Sequence, residues 1–381
     1  MPDPQSIGPR RTPLAAVHVD LGATMTDFAG WLMPLRYGSE TAEHKAVRSA
    51  AGLFDLSHMG ELLVTGDGAP AALDYALVGQ ASAIQPGRAR YTMICATDGG
   101  VIDDLIAYRL AASEYLIVAN ASNTSIVAGE LAERVRGRGA AVTDRTADYA
   151  LIAIQGPRAA GILARLTGAD LDQVRYYSSH PATVAGLGAL LARTGYTGED
   201  GFEIFVSPQD AVKVWQALTE AGTGDGLVPA GLAARDSLRL EAGMPLYGNE
   251  LGREVTPFDV GLGRVVKLGK PGDFVGRAAL AERARAEPTR ELVGLVGHTR
   301  RVPRHGYPVL WDGESRGTVT SGVPSPTLGR PIAMAFLAPK VAAEARSADG
   351  ASQGRLAVDV RGSAEPASLV PLPFYKRPTG H

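Results

Sequence analysis

The chain has 381 residues, 45% of them hydrophobic and 20% charged, the balance of a folded globular protein of two or three domains rather than a disordered one. Its 38 basic and 40 acidic residues leave a formal net charge of −2, which supplies no global positive field for gripping nucleic acid. The single cysteine, Cys95, excludes a disulfide framework and a multi-cysteine metal centre, and no run approaches the roughly 18 apolar residues of a membrane span, so the expectation is a cytoplasmic protein without a membrane partner.

The first dozen residues read as a loose arm. Residues 39–51 have the pattern of a helix with Gly52 as its stop. The tetrapeptide SHMG at 57–60 then reads as a helix-to-strand junction, and residues 60–65 alternate as a half-buried strand does. Strands are expected over 89–96, 101–110 and 114–119, with Asp98-Gly99-Gly100 turning the first hairpin. A helix over 124–136 places Val127, Leu131 and Val135 on one face.

From residue 148 the β–α pattern recurs. YALIAIQGP is a strand followed by a helix start near Pro157. Strands at 189–194 and 202–206 flank the connection GYTGEDG. Ser207-Pro208 is expected to cap a helix whose core stripe is Ala211, Val214, Trp215 and Leu218, with Gly222 at its end. After about residue 275 a helix gives way to short strands (LVGLVG, YPVLW, GTVTSG, IAMAFL, RLAVDVRG) separated by Gly and Pro, the spacing of a small barrel or sandwich, with 341–354 as a polar, Ala-rich loop. The organisation this suggests is α+β: residues 1–60 with 145–275 as one discontinuous domain, 61–144 as a second, and 276–381 as a C-terminal β-barrel domain.

Several reaction classes lose their footing on the motifs. There is no H-E-x-x-H, no phosphate-binding G-x-x-x-x-G-K-[ST] loop and no G-x-S-x-G elbow, and the seven histidines are scattered. The six lysines against 32 arginines reflect composition more than function. What stands out is polar groups inside apolar runs. Asp103 and Asp104 lie in VIDDLIAY, where strand alternation sends them to opposite faces. Both fit a frayed hairpin start, or one is buried and needs a partner. Glu203 interrupts the apolar GFEIF, either on a solvent face or as a buried acceptor. In ARDSLRLEAG, Arg235 and Arg239 stand i, i+4 on a helix; Asp236 and Arg239 suit a surface pair, the alternative being an Arg aimed at a carboxylate or ring system. His58 reads as structural and Cys95 as inert core. Buried polar groups with tyrosines, and no metal or phosphate loop, point to one organic ligand: a planar heterocycle with N–H donors for Glu, a carboxylate tail for Arg.

The same residues carry a likeness. DFAGWLMPLRYGSETAEHKAVRSAAGLFDLSHMGE, ARYTMI, GGVIDDLIAYRL, LIVANASN, LIAIQGP, RTGYTGEDGFEIFV, GLAARDSLRLEAGMPLYGNEL, TPFDVGLGRVVKL, VPRHGYPV, GTVTSGVPSPTLGRPIAMAFL and LPFYKR occur in one order nearly end to end, and with them the chain resembles the glycine cleavage T-protein family, the tetrahydrofolate-dependent aminomethyltransferases. The resemblance implies a three-domain cloverleaf around a central folate cavity. It implies transfer of an aminomethyl group from the lipoyl arm of a partner H protein to tetrahydrofolate, with no metal. It assigns the essential carboxylate to Asp104 and folate contacts to Met59, Tyr91, Asn120, Tyr196, Glu203 and Arg235. Tyr176, Arg304 and Tyr375 match the family's pattern less closely. Where members often carry Trp after GLG, this chain has Arg264. The alternatives are a folate-dependent demethylase of a small methylated amine and a non-catalytic folate module. The latter's K-G-C-Y-x-G-Q-E signature is absent here.

Overall fold

The computed structural model describes residues 8–347 and 355–378. The chain forms two compact units, one of Met1–Leu73, Ala81–Tyr91 and Leu105–Asp236, the other of Asp74–Gln80, Thr92–Asp104 and Ser237–His381.

The first unit is built on a six-stranded sheet with the spatial order Ser179–Val184, Leu187–Ala192, Gly201–Val206, Ala150–Gln155, Ala51–Asp55 and Leu227–Pro229. Its strands pair antiparallel except the last, which runs parallel to Ala51–Asp55. Ala150–Gln155 is buried along its whole length, and Ile152, Ile154, Phe202 and Ile204 form a core with Val214, Trp215 and Leu218 of the helix Ala211–Gly222. The expected stripe of that helix is therefore the buried one. Its N-cap, however, is Asp210 rather than the Ser-Pro pair.

The helix Glu40–Ser49 is capped by Ser39, whose hydroxyl accepts from the Ala42 amide. Gly52 does not stop this helix. It lies inside the strand Ala51–Asp55, where a Cβ would stand 2.4 Å from Val47 Cγ2, so its missing side chain serves close packing of helix on strand. SHMG consequently joins two strands, not a helix and a strand. Of the expected arm, residues 1–7 lie outside the described residues, and Arg10–Arg11 pairs in parallel with Trp31 and Leu32 in a three-stranded sheet.

A five-stranded sheet has the order Arg88–Cys95, Val101–Ala111, Glu114–Ala119, Gly60–Thr65 and Ala141–Asp144, so the three strands read from the hairpin pattern are neighbours. The helix Thr124–Val135 buries Val127, Leu131 and Val135, as its periodicity requires.

The second unit contains a closed barrel of Glu291–Gly297, Arg330–Leu337, Glu314–Ser325, Pro308–Trp311, Leu356–Val360 and Ser363–Val370, whose last strand pairs back onto the first at Gly294↔Val370. Val293, Leu295, Val309, Val319, Ala333, Ala335 and Val358 fill it. The closing strand SAEPASLV escapes a sequence reading because Pro366 and its polar neighbours argue against a strand. The expected loop over 341–354 is a helix as far as it is described, Pro339–Ser347, with Val341, Ala342 and Ala345 against the barrel core. Apolar residues at i, i+1 and i+4 outweigh the polar composition; residues 348–354 lie outside the described residues. Among the described residues no helix is long and apolar enough to cross a membrane.

Candidate active site

Glu203 sits on the strand Gly201–Val206 between two alanines, Ala153 on one neighbouring strand and Ala192 on the other. Cross-strand partners share a face, so the two small side chains leave room around the carboxylate. Glu203 is half-buried rather than solvent-facing. Its Oε2 accepts from the Tyr108 hydroxyl at 3.1 Å and, in a short contact, from the Thr194 hydroxyl; the two hydroxyls are themselves 2.9 Å apart. Both donors converge on one oxygen, which fixes the carboxylate while directing Oε1 elsewhere. Burial, and then the charge of Glu203, push the Tyr108 hydroxyl well above the ordinary tyrosine range, so it stays a donor.

The connection after Thr194 is pinned on both sides. Gln155 Nε2 donates to the Thr194 carbonyl at 3.0 Å and Gln155 Oε1 accepts from the Thr197 hydroxyl at 2.9 Å. Arg48 donates to the Thr197 carbonyl at 2.7 Å and to Glu199 at 2.8 Å, and Arg193 pairs with Asp200 at 2.7 Å. Tyr196 is carried in the middle of this fixed loop. The Arg235 guanidinium, from the helix Leu232–Glu241, lies 4.8 Å from the centre of its ring. Burial lowers the pKa of Arg235, against the raising influence of Tyr196 and Glu203, and leaves it a cation at neutral pH.

Met59 ends the turn between the strands Ala51–Asp55 and Gly60–Thr65. The register Gly60↔Ala119 sets Met59 and Asn120 at the same end of two paired strands, both half-buried. Asp55 anchors the turn: it is 3% exposed and accepts from Thr12 at 2.6 Å and the Ser57 amide at 2.9 Å, with His18 Nε2 also at 2.9 Å. Burial would raise its pKa, and these hydrogen bonds with the charge of His18 hold it below the usual carboxylate value. Next to it, His58 is 3% exposed and its Nδ1 has no hydrogen-bond partner.

Tyr91 is half-buried on the strand Arg88–Cys95. Tyr176 is 47% exposed, edge-on to Tyr177 at 4.9 Å, and Arg88 donates to its carbonyl at 3.1 Å.

Asp104, Arg304 and Tyr375 belong to the second unit. Asp103 is fully buried and Asp104 half-buried on the strand Val101–Ala111, so neither belongs to a frayed end. Both carboxylates raise the pKa of Tyr247, after its burial and against Arg253. The Tyr375 amide donates to the carbonyl of Glu241 at 2.8 Å. Arg304 is exposed, with Nη1 3.4 Å from the Gly322 carbonyl, in a surface cleft that Arg301, Tyr307 and Arg361 also line. The expected surface pair of Arg239 is corrected: Arg239 is fully buried and ion-paired to Glu250 at 2.9 Å, with Ser321 accepting at 2.7 Å. Cys95 is buried. Among the described residues no group of three or more His, Cys, Asp or Glu is placed to hold a metal.

The glycine cleavage T-protein family matches this chain twice, its GCVT N-terminal domain over residues 14–270 and its C-terminal barrel domain over residues 290–376. The chain belongs to the glycine cleavage T-protein family. The Streptomyces coelicolor aminomethyltransferase is 63% identical over 97% of this chain and 98% of its own length, and the Cutibacterium acnes aminomethyltransferase 52% identical over 97% and 99%. The crystal structure of glycine cleavage system aminomethyltransferase T from Bartonella henselae superposes with a TM-score of 0.87 at 34% identity, covering 97% of this chain and 98% of that one. The family's barrel domain coincides with the closed barrel seen here. Tyr108 and Thr194, the donors to Glu203, were not singled out from sequence, although Tyr108 lies in the matching segment GGVIDDLIAYRL and Thr194 opens RTGYTGEDGFEIFV.

Proposed function

We propose that this chain is the aminomethyltransferase of glycine cleavage, carrying the aminomethyl group from the lipoyl arm of H protein to tetrahydrofolate. Relatives matched over nearly the whole chain bear that enzyme's name, which disfavours the demethylase alternative. The observation that carries the folate part is Glu203, half-buried between two alanines with two hydroxyls on Oε2, a carboxylate presented to a ligand with paired N–H donors. The edge of a reduced pterin has those donors.

In this reading Glu203 takes the ring N–H and exocyclic amine, Tyr196 stacks on the ring and Arg235 meets its polar or carboxylate groups. Met59, Tyr91 and Asn120 line the site, and Tyr176, Arg304 and Tyr375 are further folate contacts. The folate nitrogens attack the carbon of the S–CH2–NH2 group. Two N–C bonds form, the C–N and C–S bonds break, and the two hydrogens lost from the folate nitrogens leave on ammonia and on the thiol. Asp104 orients the attacking nitrogen by accepting its hydrogen bond and passes its proton on. The lone buried thiol of Cys95 supports a reducing, cytoplasmic setting.

The test is to supply purified protein with aminomethyl-loaded H protein and tetrahydrofolate and to follow ammonia and methylenetetrahydrofolate. Asp104→Asn should lose turnover by orders of magnitude and still bind folate; full activity removes Asp104 from its role. Turnover of a free methylated amine without turnover of loaded H protein would restore the demethylase reading.

A further inference from the structure

His58 occupies the turn beside Met59, and hydrogen bonds tie the backbone of that turn. The Leu56 amide donates to the Leu151 carbonyl at 2.8 Å, the Met59 amide to the Leu56 carbonyl at 2.9 Å, and the Ser57 amide to Asp55 at 2.9 Å. Phe28 meets the imidazole edge-on, with ring centres 5.5 Å apart. The ring is 3% exposed, yet its Nδ1 has no partner, while the carboxylate of Asp55 three residues earlier receives hydrogen bonds on both oxygens. A buried polar atom left without a partner carries a desolvation penalty and calls for an explanation. Packing against Phe28 would be served as well by a phenyl ring, which carries no such penalty.

The charged groups acting on the ring are Arg235 and Asp55. Burial, reinforced by Arg235 and opposed by Asp55, pulls the His58 pKa down to about 4. At neutral pH the imidazole is uncharged, with one nitrogen a donor and the other an acceptor. Such a group, within the electrostatic reach of a guanidinium, suits a neutral N–H or C=O, since it adds polarity to the site without a second positive charge.

We propose that His58 is a further substrate-binding residue, whose Nδ1 completes its hydrogen bonding on the polar edge of bound tetrahydrofolate. The inference rests on the folate reading above. It is tested by titrating 15N-histidine-labelled wild-type protein with tetrahydrofolate while the dissociation constant is measured on the same sample, the His58 resonances being assigned by their loss in His58→Gln. The Nδ1 resonance is expected to move in step with occupancy. His58→Phe should raise Kd about tenfold, equivalent to about 1.4 kcal/mol, with a smaller change in kcat at saturating folate, and His58→Asn should recover part of the loss. Folate binding with unmoved His58 resonances and an unchanged Kd in His58→Phe overturns this inference alone. Failure of the wild-type protein to bind tetrahydrofolate overturns the folate reading and this one with it.

Discussion

The carboxylate of Glu203 depends on two hydroxyls that no local pattern connects to it, since Tyr108 lies 95 residues away in the chain. Tyr108→Phe removes one donor and leaves Thr194 in place, so the expected cost is modest: about 1 kcal/mol of stability by denaturant unfolding, and a several-fold weaker tetrahydrofolate complex. Glu203→Ala removes the acceptor itself and should weaken folate binding by about two orders of magnitude, the scale of a charge-assisted pair, as read by calorimetric titration. Unchanged affinity would take Glu203 out of the site. A buried pair with no part in the chemistry should behave differently. Arg239→Met strips Glu250 of its partner in a place where both side chains are inaccessible, and should lower stability by about 3–5 kcal/mol. The double variant Arg239→Met/Glu250→Leu should recover much of that, because it removes the isolated buried charge as well.

At the level of elements, the loop that carries Tyr196 is set by what its neighbours leave no room for. A Cβ on Gly195 would stand 2.0 Å from Gln155 Oε1, the oxygen that accepts from Thr197. Gly195→Ala must push Gln155 or the loop aside, with an expected loss of about 1–3 kcal/mol in stability and a higher KM for folate through a displaced Tyr196. Steady-state kinetics beside a melting curve checks both. This loop was legible in the sequence as an anomaly, four Gly and Asp residues around one Tyr, but its ties to Arg48 and Gln155 were not. The strands at 60–65 and 101–110 and the helix stripe Ala211, Val214, Trp215 and Leu218 were legible because alternation and 3.6-residue periodicity are local. What escaped was set elsewhere in the chain. Gly52 read as a helix stop because its role is contact with Val47 across the helix–strand packing. Arg239 read as a surface residue because Glu250 and Ser321 meet it only in the folded chain. Lys270 gave no signal at all, although its ammonium donates to the carbonyls of Leu77 and Gly79, the former 193 residues away.

For the whole molecule, stability responds to pH through groups whose pKa differs between the folded and the unfolded chain. Two of them oppose each other below neutrality. His58 is held neutral in the fold, its pKa lowered from 6.5 to about 4, so between those values the unfolded chain binds the extra proton. Stability therefore falls as pH falls from 6.5 towards 4, by on the order of 3 kcal/mol at 1.36 kcal/mol per pH unit. Glu61 is 1% exposed, and its pKa is raised well above 4.5 by burial, then by Asp144 and Glu203. It holds its proton to a higher pH in the fold than in the unfolded chain, so stability falls as pH rises above 4.5. Here the native state binds the extra proton and the sign reverses. The two contributions separate in variants. Glu61→Gln cannot ionise in either state, so its melting temperature relative to the wild type should rise as pH rises above 4.5. His58→Phe should show the opposite slope, gaining on the wild type as pH falls from 6.5 to 4, with a difference that no longer changes with pH above 7. Melting curves across that range, taken for all three proteins in one buffer series at constant ionic strength, measure both slopes. A difference for Glu61→Gln that does not change with pH would mean the carboxyl titrates alike in the folded and unfolded chain, which its burial beside two other carboxylates argues against.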